Sequence, residues 1–149
     1  MIRGEGNMII YRPIEAVWNF LTDLENYPKW HKGMAEARKT SEDPMGVGTT
    51  VDVTAEILGR HTMKLVITEY EPNRKIAWRV DARPVTGAAG YVAGCTFESV
   101  QGGTRVFKFI EGEFAGLFRL LEPILSRLLK RIEIETDLSN AKRLLETKA

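Results

Sequence analysis

Two imidazoles, His31 and His61, and one thiol, Cys95, are the side chains of this 149-residue chain best suited to nucleophilic, metal or acid–base chemistry. The histidines stand alone, without the paired histidines or the His-Cys-carboxylate spacing that zinc requires, so no metal site is expected. His61 is in phase with Met63, Leu65 and Ile67 but sits beside a turn, and reads as a strand-end residue. His31 follows Trp30 and reads as a helix-end residue within reach of a ligand entrance. Cys95 lies in a strand pattern that offers only apolar companions, which predicts an inert, buried thiol. Glu56, Glu69 and Glu98 fall on predicted outer faces as solvated residues. No G-x-S-x-G elbow, Walker loop or Rossmann fingerprint is present, and Gly87-Ala88-Ala89-Gly90 has too few glycines and lies between no strand and helix. Nucleotide chemistry is therefore not expected, and no catalytic residue and no cofactor are assigned.

The remaining chemistry is apolar. Met63, Trp78, Tyr91 and Phe97 fall on one face of the predicted sheet, and Met63 adds a side chain that adapts to irregular pockets. Trp30 is placed to close one end, and Leu121 and Leu125 would add a helical wall. These seven residues form the expected lining of a pocket for a flat or flexible apolar molecule. As single residues, aromatics such as these and Trp18 serve a core as readily as a ligand. Their grouping on one face is what points to a pocket.

The elements that must position them follow from periodicity. Ile2 to Tyr11 reads as a strand ended by Arg12-Pro13, and Val17, Phe20, Leu21 and Leu24 recur at helical spacing in the next segment. Asn26-Tyr27-Pro28-Lys29-Trp30 reads as a turn or second short helix. From Met34 the period becomes two: Val51, Val53, Ala55, Ile57; then His61, Met63, Leu65, Ile67; Ile76, Trp78, Val80, Ala82; and Tyr91, Ala93, Cys95, Phe97. Short turn sequences at 58–60, 71–74 and 101–104 predict hairpins between antiparallel strands. The longer, glycine-rich segment 83–90 is the candidate lid. A last strand, Val106 to Ile110, carries apolar residues at both parities, so its inward face is left open.

Leu121, Leu125, Leu128, Leu129, Ile132, Leu138, Ala141 and Leu145 then form one apolar stripe, and a helix from Pro123 to Glu146 would be ~36 Å long at 1.5 Å per residue. That stripe needs a cover, and the inner face of the strands is the comparable dry surface, so the helix is expected to lie across the sheet. A strongly twisted sheet cannot lie flush along a straight rod. A space between the two is the consequence.

Composition sets the outer limits. The length suits one domain over residues 1–149, and 44% hydrophobic and 28% charged residues are proportions of a globular protein. Lysine and arginine number 21 against 20 acids, a formal charge of +1, which favours neither nucleic acid nor an anionic membrane. No stretch reaches the ~20 apolar residues that span a bilayer. The start MIRGEGNMIIY lacks the basic start and continuous apolar core of a secretory signal, and a lone cysteine suits a reducing compartment, so a cytoplasmic location is expected. A homodimer is compatible with all of this.

Four local matches resemble the helix-grip superfamily that includes START lipid-transfer domains, pollen-allergen-type proteins and bacterial polyketide cyclase/dehydrase-like proteins. Pro13-Ile14-Glu15-Ala16-Val17-Trp18 with Leu21-Thr22-Asp23 is similar to the first-helix signature, and Tyr27-Pro28-Lys29-Trp30 to the second-helix aromatic motif. Gly102-Gly103-Thr104-Arg105-Val106 resembles the last hairpin. Asp137-Leu138, Ala141-Lys142 and Leu145-Glu146 resemble the end of the long helix. The resemblance implies an α+β helix-grip fold, with a curved antiparallel sheet of six or seven strands around a long C-terminal helix and two short helices after the first strand. It also implies a cavity for a lipid-, quinone- or polyketide-like ligand, and fold alone leaves the function open. Binding or transport is the first expectation, resting on an inner face without charged pairs. An aromatase/cyclase or dehydratase would need a cavity acid or base, for which Tyr91 is the candidate. A chaperone-like interaction module would instead show a contiguous exposed apolar patch.

Overall fold

The computed structural model describes residues 2–31, 33–56, 59–81, 90–112 and 120–147; for residues 2, 125, 129, 132 and 133 it describes the backbone alone. The candidate lid, apart from Gly90, lies outside the described residues.

Seven strands make one antiparallel sheet. They are β1 (Ile2–Ile10), β2 (Met34–Lys39), β3 (Thr50–Glu56), β4 (Arg60–Glu71), β5 (Lys75–Val80), β6 (Tyr91–Val100) and β7 (Gly103–Gly112). The order across the sheet is β1-β7-β6-β5-β4-β3-β2, so every pair is a sequence neighbour except β1 with β7. Two short helices, α1 (Ile14–Thr22) and α2 (Tyr27–Trp30), follow β1. The hairpin turns carry the residues they need: Asn73 has φ 62° and Gly102 φ 82°, left-handed values that asparagine and glycine adopt most cheaply.

Register defines the inner face. Trp78 pairs with Ala93 and Val80 with Tyr91, while Ile110, Lys108 and Val106 pair with Ala93, Cys95 and Phe97. Residues in these rows share one face. The inward row of β7 is therefore Thr104, Val106, Lys108 and Ile110, all buried. On β1 the matching row is Gly4, Gly6, Met8 and Ile10.

The C-terminal helix is not the single uniform rod that its stripe predicts. It runs as α3 (Glu122–Leu129), a π-helical stretch Lys130–Thr136, and α4 (Asp137–Glu146). Pro123 stands in the first turn of α3, where its missing N–H costs no bond. A π turn holds more residues than an α turn, so seven residues of it shift the phase of the side chains across the stretch. Ile134, Leu138, Ala141 and Leu145 face the core. Leu120, Leu121, Ile124 and Leu128 do not: they are 79%, 48%, 67% and 50% exposed. Leu121 and Leu128 therefore depart from the expected stripe.

The π stretch lies against β1 because β1 has no inward side chains there. A Cβ built on Gly6 would meet Ile134 Cγ2 at 2.5 Å, and one on Gly4 would meet the Lys130 backbone at 3.6 Å. Further along, α4 is tied to the end of β1. Lys142 Nζ donates to Ile9 O at 2.7 Å and to Glu146 at 2.6 Å, and the Tyr11 N–H donates to that same carboxylate at 3.0 Å. Arg12 donates to Leu145 O at 2.7 Å. The bonds from Lys142 and from the Tyr11 N–H hold Glu146 below the usual carboxylate range. The Lys142 ammonium also lies 4.3 Å above the Tyr11 ring.

Candidate functional site between the sheet and the C-terminal helix

Met63, Trp78 and Phe97 are buried on the inner face, as their alternation requires, and Tyr91 is half-buried in the same row as Trp78. Trp18 of α1 meets Phe97 edge-on, centroids 5.2 Å apart, and meets Tyr70 likewise at 5.4 Å. Phe97 is thus packed beneath α1. Leu121 stands half-exposed just before α3, and the Leu125 side chain lies outside the described residues.

Trp30 is not at a rim. It is 1% exposed and belongs to a buried polar cluster that the alternation of apolar residues does not announce. Lys108 Nζ, on β7, lies 3.3 Å from Asp137 Oδ2 on α4, and His31 Nδ1 lies 3.5 Å from the same oxygen. All three side chains are essentially inaccessible. Lys108 Nζ also sits 5.2 Å from the centre of the Trp30 ring, a cation–π distance. The His31 ring stacks on Tyr27 at 4.8 Å and tilts against Trp30 at 5.6 Å. The expected inner face without charged pairs is therefore corrected: it contains a buried lysine–aspartate pair with a histidine beside it.

Each member arrives from a different element. Tyr27-Pro28-Lys29-Trp30 forms one helical turn, after which the His31 N–H donates to Tyr27 O at 2.9 Å. Asp137 opens α4 directly after the π stretch, and β7 presents Lys108 inward between Val106 and Ile110. The companions of Cys95 are corrected too, since its register partner is Lys108. Burial nevertheless pushes the thiol up to about 11 against a smaller opposing pull from Lys108, so it is no nucleophile near neutrality. The signal in the sequence was Lys108 itself, a charge in an apolar strand, visible only once the inward parity of β7 was known.

His61 pairs with Ala55 near the start of β4, consistent with a strand-end residue. Glu56, Glu69 and Glu98 are exposed and meet Arg60, Lys75 and Arg105 at 3.4, 3.0 and 3.9 Å. Among the described residues no cluster of three or more histidine, cysteine, aspartate or glutamate side chains has the geometry to hold a metal ion. An open groove of about 330 Å³ lies elsewhere, at the outer end of the sheet between Arg12-Pro13 and Gly102-Gly103.

A curved antiparallel sheet around a C-terminal helix, with two short helices after the first strand, defines the helix-grip class of domain. Within that class the chain belongs to the polyketide cyclase/dehydrase and lipid transport family, which it matches over residues 1–146. It is 24% identical over 123 residues to an uncharacterized protein, Rv2574, of Mycobacterium tuberculosis, spanning 78% of this chain and 71% of that one. Its fold is similar to that of the di-domain ARO/CYC StfQ of the steffimycin biosynthetic pathway, with TM-score 0.78 at 14% identity, covering 97% of this chain. The chain spans about half the length of StfQ, 50%. It is similar also to TTHA0849 of Thermus thermophilus, with TM-score 0.76 at 18% identity and 99% of both chains covered.

Proposed function

We propose that this domain binds a small, mostly hydrophobic molecule between the inner face of the sheet and its helices, and carries it. One observation supports this most directly. Among the described residues the main approaches of helix to sheet fall on β1, β2, β6 and β7, while β3 to β5 turn large apolar side chains inward, among them Val53, Met63, Leu65 and Trp78. A ligand over that middle region would gain roughly 25 cal/mol per Å² of apolar surface removed from water, less the cost of association. The formal charge of +1 favours no nucleic acid partner. No helix among the described residues is long and apolar enough to cross a membrane. A cytoplasmic carrier, monomeric or homodimeric, is the form of the proposal.

Native mass spectrometry of the purified chain tests it. A co-purifying small molecule that is released on unfolding is the expected result, together with saturable uptake of phenylnaphthylamine. A clean apoprotein that takes up no apolar probe would remove this reading.

A second reading, a cyclase or dehydratase, is favoured by the buried Lys108, Asp137 and His31 cluster, because ionisable groups held away from water are what acid–base chemistry on a poly-ketone needs. Turnover of such a substrate, lost in His31→Gln with folding intact, would put this reading first.

A further inference from the structure

Leu120, Leu121, Ile124 and Leu128 are 79%, 48%, 67% and 50% exposed, a cluster of large apolar side chains in and just before α3. Leu120, Ile124 and Leu128 recur every fourth residue and so form one row along the helix. Arg127 follows Ile124 by three residues and Arg131 follows Leu128 by three, which places both arginines beside that row. With Lys130 they make three exposed cations, against one acid in the same turns, Glu122. None of the three meets a carboxylate among the described residues. The formal charge of +1 averages over the whole chain and conceals this local excess.

We propose that this face of α3 docks the protein on an anionic lipid surface, the leucines and Ile124 entering the boundary between headgroups and acyl chains while Arg127, Lys130 and Arg131 meet lipid phosphates. The proposal goes beyond the ligand-binding reading and does not depend on it. A helix of 8 residues is about 12 Å long at 1.5 Å per residue, so α3 lies in the interface rather than across the bilayer. Long arginine and lysine stems keep the charged heads among the headgroups while the apolar row goes deeper.

Charge and area select this occupant over a second copy of the chain. A twofold contact through the same row would bring the cations of two copies against each other, whereas headgroup phosphates neutralise them. Four partly exposed side chains offer on the order of a few hundred Å² of apolar surface, short of the ~800 Å² per partner of a standard protein interface. A fluid lipid surface asks for no such complementary area. Position gives the contact a consequence. The helix meets β1 at Gly6 through Ile134 and at Gly4 through Lys130, so α3 points towards the end of the sheet where β1 begins. There Ile2 pairs with Gly112, and Gly112 with Tyr91. A bilayer bound by α3 therefore stands at the Tyr91 end of the inner face.

The test is flotation of the full chain with vesicles of two compositions, phosphatidylcholine alone and roughly three parts phosphatidylcholine to one of phosphatidylglycerol. Wild type is expected to bind the anionic vesicles at least about tenfold more tightly than the neutral ones, and to weaken in about 0.5 M salt. Arg127→Gln with Arg131→Gln should weaken binding to the anionic vesicles by about tenfold or more, and Ile124→Gln with Leu128→Gln by as much. Wild type that stays off the anionic vesicles, or binds both compositions equally, would overturn the proposal, as would unchanged binding in either double variant. Light scattering covers the other occupant: a wild-type dimer that becomes monomeric in Ile124→Gln with Leu128→Gln would give the face to a second copy and overturn the lipid surface. Should the glutamine variants fail to fold, Ile124→Cys labelled with bimane decides, because the thiol of buried Cys95, held up at about 11, resists the label near neutral pH. Its emission is expected to shift to the blue on anionic vesicles, and no shift overturns the proposal. Uptake of phenylnaphthylamine is read without vesicles, so the carrier reading stands or falls separately.

Discussion

Lys108 Nζ stands 3.3 Å from Asp137 Oδ2, a contact between two fully buried charges that lie 29 residues apart in the chain. Each has lost its hydration, and the opposite charge beside it offsets part of that cost. Lys108→Met or Asp137→Leu alone is expected to destabilise by about 3–5 kcal/mol, because the remaining buried charge loses the opposite charge beside it, and the double variant should recover most of that loss. Urea unfolding of the three variants checks it. Single variants that each cost less than about 1 kcal/mol, a typical surface value, would mean that water reaches the pair.

Cys95 provides a pH-dependent test. Its thiol titrates at about 11 in the fold against an ordinary 9.0, chiefly because burial disfavours the thiolate. Between those two values the unfolded chain releases the proton and the folded chain keeps it, so the stability associated with this group is whole below pH 9.0 and is lost as pH rises towards about 11. The full loss amounts to about 2–3 kcal/mol. Cys95→Ala should flatten this alkaline decline in stability, measured by urea titration across that window. In the native protein the thiol should also resist iodoacetamide at neutral pH, and rapid alkylation of folded protein would contradict the burial.

The two ends of the C-terminal helix should respond differently to truncation. Leu138 is 1% exposed and Leu128 50%. Leu138→Ala is expected to cost about 2–5 kcal/mol, the range for a core leucine, and Leu128→Ala less than about 0.5 kcal/mol. Thermal or urea unfolding separates them. Equal costs would mean that α3 packs through Leu128 after all.

Gly6 holds the place where the π stretch meets the sheet. Gly6→Ala would put a Cβ 2.5 Å from Ile134 Cγ2, and overpacking of this kind costs about 1–3 kcal/mol. Ile134→Ala is expected to cost less in the Gly6→Ala chain than in the wild type, since it removes the Cγ2 that the new methyl meets. A double variant no better than additive would mean that the two positions do not touch.

Ala93 lies in the inward row beside Trp78. Ala93→Trp should abolish uptake of phenylnaphthylamine while circular dichroism still reports a folded domain, because a cavity absorbs volume that a filled core would reject. Unfolding would indicate a filled core. Tyr91→Phe removes one hydroxyl and almost no volume, so a carrier should bind the probe nearly as before. An enzyme using that hydroxyl as its acid would lose turnover by roughly 10²-fold or more.

Much of the scaffold was legible in residue order alone. Alternation of period two in Val51 to Ala55, His61 to Ile67 and Tyr91 to Phe97 assigns each strand a dry face, because successive side chains point to opposite sides of any strand wherever it lies. The hairpins were equally local: asparagine and glycine at 73 and 102 adopt the left-handed turn at little cost, so these strands meet as sequence neighbours. The resemblance to the helix-grip superfamily joined these pieces into one architecture.

What tertiary structure alone decided was the inside of that architecture. In Val106 to Ile110 both parities are hydrophobic enough to be buried, and only pairing with β1 on one side and β6 on the other turned Lys108 inward rather than Phe107 and Phe109. A lysine facing the core is excluded by any local reading, since the carboxylate that offsets part of the cost of its burial arrives from a distant element. Asp137 arrives on α4 and His31 at the end of α2, and neither is tied to Lys108 by any spacing in the chain. The same holds for the apolar stripe of the C-terminal helix. Its sequence is continuous, but the π stretch shifts its phase, so that Leu138 and Leu145 are covered while Leu121 and Leu128 face outward. Periodicity fixes which residues share a face of a regular element; partners distant in sequence determine which way that face turns and what charge can be held beneath it.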